Sequence, residues 1–147
     1  MPDDPAIRFK PIAHLNQIVV ARRGHPLAKA RAAAALASDE WLTSLRHDVA
    51  AEALRAIGVP EPRQIIECES FSAMLTLLAE SDMLALVPHP SLDTPQVGEA
   101  IQQIPIAERL PGLTVGLHTR ADAPLTRPAA ALARLLSDIG RRLLQRA

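Results

Sequence analysis

The chain has 147 residues, 48% of them hydrophobic, which is enough to bury a core and too apolar for a disordered chain. Aromatic residues are only 2%, with one Trp, two Phe and no Tyr, so stacking platforms for single-stranded nucleic acid are excluded. Lys plus Arg and Asp plus Glu are 16 each, a balance that draws the chain toward neither nucleic acid nor an anionic membrane. The lone cysteine excludes an internal disulfide. The acidic, proline-rich start Met1-Pro2-Asp3-Asp4-Pro5 is no signal peptide, and no apolar run approaches the ~20 residues of a membrane span. A soluble cytoplasmic chain is expected.

Residues 1–16 read as loop and edge. Gln17-Ile18-Val19-Val20-Ala21 is β-branched and apolar throughout, the pattern of a buried strand, stopped by Gly24-His25-Pro26. The alanine-rich stretch Ala28–Ala37 predicts a short surface helix. Glu40–Thr43 predicts a short strand. A helix follows from an Asp48 N-cap to Ile57, with Val49, Ala53, Leu54 and Ile57 on one face and Gly58 closing it.

Pro60 and Pro62 impose an extended connector. Gln64–Cys68 predicts a strand, and Ser70 caps a helix with a buried stripe of Phe71, Met74, Leu75 and Leu78. Met83–Val87 is a short apolar strand ended by Pro88, and residues 88–100 are loop with about one helical turn. Gln103–Ala107 and Leu113–His118 predict two more strands. Thr126 opens a last helix carrying Leu132, Leu135, Leu136, Ile139, Leu143 and Leu144 at helical spacing. Alternating strands and helices of this length give an α/β protein with a mainly parallel sheet.

The residues that carry chemistry are few. Ser70, Cys68 and His89 could be assembled into a small hydrolase-like enzyme, but Ser70 lacks the Gly-x-Ser-x-Gly elbow that would expose its oxygen. Cys68 falls in an alternating strand, where a thiol is usually buried and inert. The histidines at 14, 25, 47, 89 and 118 include no i, i+4 pair, so neither a metal site nor any other cofactor site is expected. His25 belongs to the turn after the first strand. The basic end Arg141-Arg142…Arg146 suits the negative pole of a helix rather than DNA. Two helices start directly after strands, near His47–Asp48 and at Ser70, and free N–H groups at such starts favour anions. Ligands of open α/β sheets lie beyond the carboxyl ends of the strands. The candidate binding residues are therefore Thr43, Ser44, Leu45 and Arg46 in the first loop, Ser70, Phe71 and Ser72 in the second, and Pro88 and His89 at a third strand end.

Four stretches in order, "DPAIRFKPI…QIVVARRGHPLA", "EWL", "ECESFSAMLTLLAESDMLALVP" and "LTVGLHTRADAPLTRPAAAL", make the chain similar to the effector-binding region of LysR-type transcriptional regulators. The resemblance implies a lobe of the type 2 periplasmic-binding-protein fold plus remnants of a second lobe. Residues 1–23 would be first-lobe remnant and crossover strand, 24–112 the second lobe, and 113–147 the return crossover strand and C-terminal helix. It implies a small organic anion as effector, sensed rather than transformed, and DNA contact only through a helix-turn-helix domain outside this chain. A periplasmic solute-binding lobe is the other reading of the same fold. One departure stands out: where the family often has Gly-x-Gly before the strand ending in Pro, this chain has Glu80-Ser81-Asp82-Met83-Leu84. The six-residue apolar stripe of the last helix is expected to be covered by another copy, through dimerisation or helix exchange, and a half-pocket to bind effector weakly or not at all.

Overall fold

The computed structural model describes residues 4–93 and 95–144; the side chains of Gln96, Leu143 and Leu144, and all of Arg146, lie outside the described residues. The chain divides into two compact units, residues 16–111 and residues 1–15 with 112–147.

The 16–111 unit is built on a five-stranded sheet. Its strands are β2 (Gln17–Arg22), β3 (Glu40–Thr43), β4 (Gln64–Glu67), β5 (Leu84–Pro88) and β6 (Ile101–Ile104), in the order β4-β3-β5-β2-β6. β3 runs parallel to both β4 and β5, whereas β2 is antiparallel to β5 and β6. The sheet is thus mixed, and its parallel pairs gather on one side.

The β2 run is continuously apolar because both of its faces are buried. Val19 and Ala21 join Trp41 and Leu84 against Leu54, Ile57 and Val59, the side of helix α1 (His47–Ala56). Ile18 and Val20 join Leu42, Ala85 and Val87 against Met74 and Leu78 of helix α2 (Phe71–Ala79). Gly58 ends α1 with φ +88°, a backbone position that only glycine occupies without strain.

Several expectations are corrected. The alanine run forms a single 3₁₀ turn, Ala33–Leu36, in place of a surface helix over Ala28–Ala37, and Ala33 and Leu36 are wholly buried. The tertiary structure overrides the alanine propensity here: Leu36 anchors in the α1-side core, and the Arg31 carbonyl accepts from the Ala107 N–H at 2.9 Å. The strand expected at Gln103–Ala107 ends at Ile104, because Pro105 cannot donate to a ladder. Residues 88–100 hold a 3₁₀ turn (His89–Asp93) and a short helix α3 (Pro95–Ala100). Val49 is 43% exposed, and Ala50 takes its place on the buried face of α1.

The turn that lacks the family glycines is held by side chains. Ser81 Oγ accepts from the Met83 N–H at 3.4 Å, and the Asp82 carboxylate pairs with Arg22 at 2.6 Å. The buried His25 donates through Nε2 to the Asp82 carbonyl at 2.9 Å, while its Nδ1 accepts from the Leu27 N–H at 3.0 Å. This pattern fixes the neutral tautomer and ties the turn after β2 to the start of β5.

In the other unit, residues 7–15 are not loop but strand β1 (Ile7–Leu15), paired antiparallel with β7 (Leu113–Arg120). Gly116 faces Phe9, whose ring lies 4.7 Å from that of His118. Helix α4 (Arg127–Leu144) opens on Thr126, whose Oγ1 accepts from the Ala129 N–H at 3.4 Å. Its inward face is made of small residues: Ser137 is buried and Gly140 abuts Ile12 of β1. Leu132, Leu135, Leu136 and Ile139 point away and are 44–57% exposed.

Candidate functional site

Strand direction decides which loops meet. Because β3, β4 and β5 are parallel, their carboxyl ends share one edge of the sheet, and Thr43–Arg46, Ser70–Ser72 and Pro88–His89 all follow those ends. β2 begins at that edge, since Gln17 pairs with Pro88, and β6 finishes there, since Ile104 pairs with Val19. The His89 N–H donates to the Asn16 carbonyl at 2.9 Å, which fastens the third loop to the start of β2.

In the first loop, Thr43 is buried and its Oγ1 accepts from the Leu45 N–H at 3.0 Å, a local turn that sets the path into α1. Ser44 and Arg46 are exposed and Leu45 half-buried. The residue that caps α1 is Arg46, by its backbone alone, and not Asp48. The first free N–H, that of His47, is instead taken by the Glu67 carboxylate at 2.7 Å. Asp48 lies in the first turn and pairs with Arg46. The amino end of α1 therefore already holds carboxylates from the chain itself, which is where its partial positive charge goes.

In the second loop, Ser70 caps α2 as expected, its Oγ accepting from the Ala73 N–H at 3.3 Å. Phe71 is not core: it is 38% exposed on the first turn of α2, and Ser72 beside it is exposed too. Cys68, half-buried after β4, has its N–H on the Thr43 carbonyl at 2.8 Å and its Sγ on the Ser70 carbonyl at 3.5 Å. Among the described residues no hydrogen bond joins Ser70 or Cys68 to His89, whose Nδ1 is buried without a partner. Nor do any three His, Cys, Asp or Glu among the described residues cluster to hold a metal ion.

The same edge carries a cavity that sequence reasoning missed. About 320 Å³ in volume, it is lined by Asn16–Val19 at the start of β2 and by Gln103, Ile104, Ile106 and Glu108–Leu110 at and beyond the end of β6. None of the nine expected residues lines it. The missed signal was the polar series Gln102-Gln103, Glu108-Arg109 around a proline-broken strand, which reads as ordinary connector until β6 is placed beside β2.

A family model described as LysR substrate binding domain matches residues 1–140, and the chain belongs to that family. A curated relative, the SDS degradation transcriptional activation protein of Pseudomonas sp. (strain ATCC 19151), is 34% identical over an alignment covering 92% of this chain and 46% of the relative. The chain thus spans about half the length of that relative. Among solved structures, the fold is shared with the CcmR regulatory domain of Synechocystis PCC6803 in complex with 2-PG, at TM-score 0.76 and 17% identity, covering 96% of this chain and 70% of that one. It is also shared with the C-terminal domain of a probable LysR family regulator from Rhodococcus sp. RHA1, at TM-score 0.73 and 23% identity, covering 93% and 70%. The QuiR effector-binding domain in complex with shikimate matches at TM-score 0.69 and 17% identity, covering 97% and 69%. Among the described residues no helix is long and apolar enough to cross a membrane.

Proposed function

We propose that the chain is the ligand-sensing part of a LysR-type transcriptional regulator, working in the cytoplasm and catalysing no reaction. The observation that carries this is the convergence of Thr43–Arg46, Ser70–Ser72 and Pro88–His89 on one sheet edge, in a chain of the LysR substrate-binding family. On this reading the 16–111 unit is the second lobe and the other unit part of the first. The effector is a small organic anion; two structural neighbours are described in complex with 2-PG and with shikimate. DNA is contacted by a helix-turn-helix domain outside these residues. The ligand acts by binding two arrangements of lobes or subunits with different affinity, which is what moves the equilibrium between them.

The outward stripe of α4 is covered by a second copy. Paired antiparallel about the Leu135–Leu136 midpoint, Leu132 of one helix meets Ile139 of the other, so the stripe complements itself as a two-fold interface requires. The expected result of light scattering is a concentration-dependent dimer; a monomer at every concentration refutes this part alone. For the sensing reading, two-dimensional amide NMR titrated with aliphatic and aromatic acids tests the edge directly. Shifts at residues 43–46, 70–72, 88–89 or the adjoining cavity are expected, and acids that leave the whole edge silent refute it.

A further inference from the structure

The positive groups at this edge are mostly spent. Arg46 is paired with Asp48, the His47 N–H is held by Glu67, and Ser70 has taken the Ala73 N–H. Arg109, exposed at the cavity wall, has no ion pair or hydrogen bond among the described residues. A planar guanidinium is matched to a carboxylate by two parallel hydrogen bonds, which a surface Lys or a lone helix N–H does not offer. Asn16 and Gln17 line the same cavity, and their amides supply further donors.

The wall also carries Glu108, which, ionised, only accepts hydrogen bonds, and whose Oε2 is buried without a partner. A plain fatty or aromatic acid would bring its charge to Arg109 and leave Glu108 facing nothing that donates. An acid with a second group, a hydroxyl or an ammonium, satisfies both. The volume sits at the low end of the roughly 300–1,000 Å³ of small-molecule sites, and Ile106 and Leu110, packed on the α1-side core, offer an apolar side for the rest of such a molecule.

We infer that the cavity between β2 and the 103–110 segment is the subsite that fixes the effector, taking a small hydroxy acid or amino acid with its carboxylate on Arg109 and its hydroxyl or ammonium on Glu108. This rests on the sensing reading of the edge and assigns its specificity to residues outside the three loops.

The experiment is a titration of the full chain, followed by amide NMR, with mandelate and with phenylacetate, which lacks only the hydroxyl. Mandelate is expected to bind at least about tenfold tighter, with shifts concentrated in residues 16–19 and 103–110. Arg109→Gln is expected to weaken mandelate about 10- to 100-fold, the scale of a lost charge-assisted pair. Glu108→Gln should abolish most of the discrimination between the two acids. Because Arg109 is exposed, the thermal midpoint of its variant should match the parent, and Arg109→Lys, keeping charge without the fork, should fall between. Equal binding of the two acids, or an Arg109→Gln that binds like the parent, overturns the inference. Shifts confined to residues 43–46, 70–72 and 88–89 overturn it while leaving the sensing reading in place. Silence of the whole edge to both acids overturns the two together.

Discussion

Leu84 and Leu136 make a matched pair of substitutions. Leu84 in β5 is fully buried, whereas Leu136 on α4 is 44% exposed. Leu84→Ala deletes three buried carbon groups at about 0.8 kcal/mol each and leaves a hole among Trp41, Val19 and Leu54, for a cost of about 3–4 kcal/mol. Leu136→Ala loses about half that transfer energy and opens no closed cavity, so in the monomer it costs about 1 kcal/mol. Trp41 is the only tryptophan, lies 1% exposed in the same cluster as Leu84, and reports on the 16–111 unit alone. Urea unfolding followed by its fluorescence, with a slope of about 2 kcal/mol per molar, should shift by about 1.5–2 M for Leu84→Ala. In dilute protein, Leu136→Ala should leave that midpoint nearly unmoved, with its smaller effect seen in circular dichroism and growing as concentration rises and copies pair. A Leu84→Ala shift below about 0.5 M, or a dilute Leu136→Ala that unfolds as easily as Leu84→Ala, would refute the assignment of core and uncovered face.

Ser70→Ala removes the α2 cap and is expected to cost about 1 kcal/mol in the same urea assay, with Ser70→Gly costing less. Asp39 has its carboxyl raised above the ordinary 3.8 by burial, with nearby Asp82 pushing it further up, and its Oδ2 has no partner. A raised carboxyl destabilises the fold where it is ionised, and that cost disappears as pH falls through its folded value and the group takes a proton. Asp39→Asn should therefore raise the thermal midpoint at pH 7, and the gain should fade toward pH 4; a gain that grows on acidification would contradict the sign. Gly116→Val drives a side chain into the Lys10 carbonyl and against the Phe9 ring. It should unpair β1 from β7 without moving the Trp41 transition, as amide exchange of the two strands would show.

What could be read beforehand was local. β2 and β5 announce themselves as short apolar runs closed by Gly or Pro, β3 and β4 as short apolar runs that lead into helices, and α2 by a serine cap and a helical stripe. What could not be read depends on partners far along the chain. β1 pairs with a strand about a hundred residues later, His14 opposite Thr114, and an exposed run such as Arg8-Phe9-Lys10 carries no sign of that. The alanines at 32–35 look like a helix until Ala107 claims the Arg31 carbonyl. Phe71 sits at stripe spacing, yet at the first position of α2 it is left 38% exposed. The three loops were legible because strand order and the rule of carboxyl ends suffice to gather them. Glu67 as the occupant of the α1 start, and Arg109 as an unpaired guanidinium, were not, since both follow from which side chains happen to find each other.

The 16–111 unit is one uninterrupted segment, and its first residues and its last ones, Asn16 and Leu110, border the same cavity. A stretch whose two ends emerge side by side can be lifted out or spliced into a host loop with a short linker, or circularly permuted, without tearing its sheet. It also means that the cavity is bordered by residues next to both points where this segment is sewn to the rest of the chain.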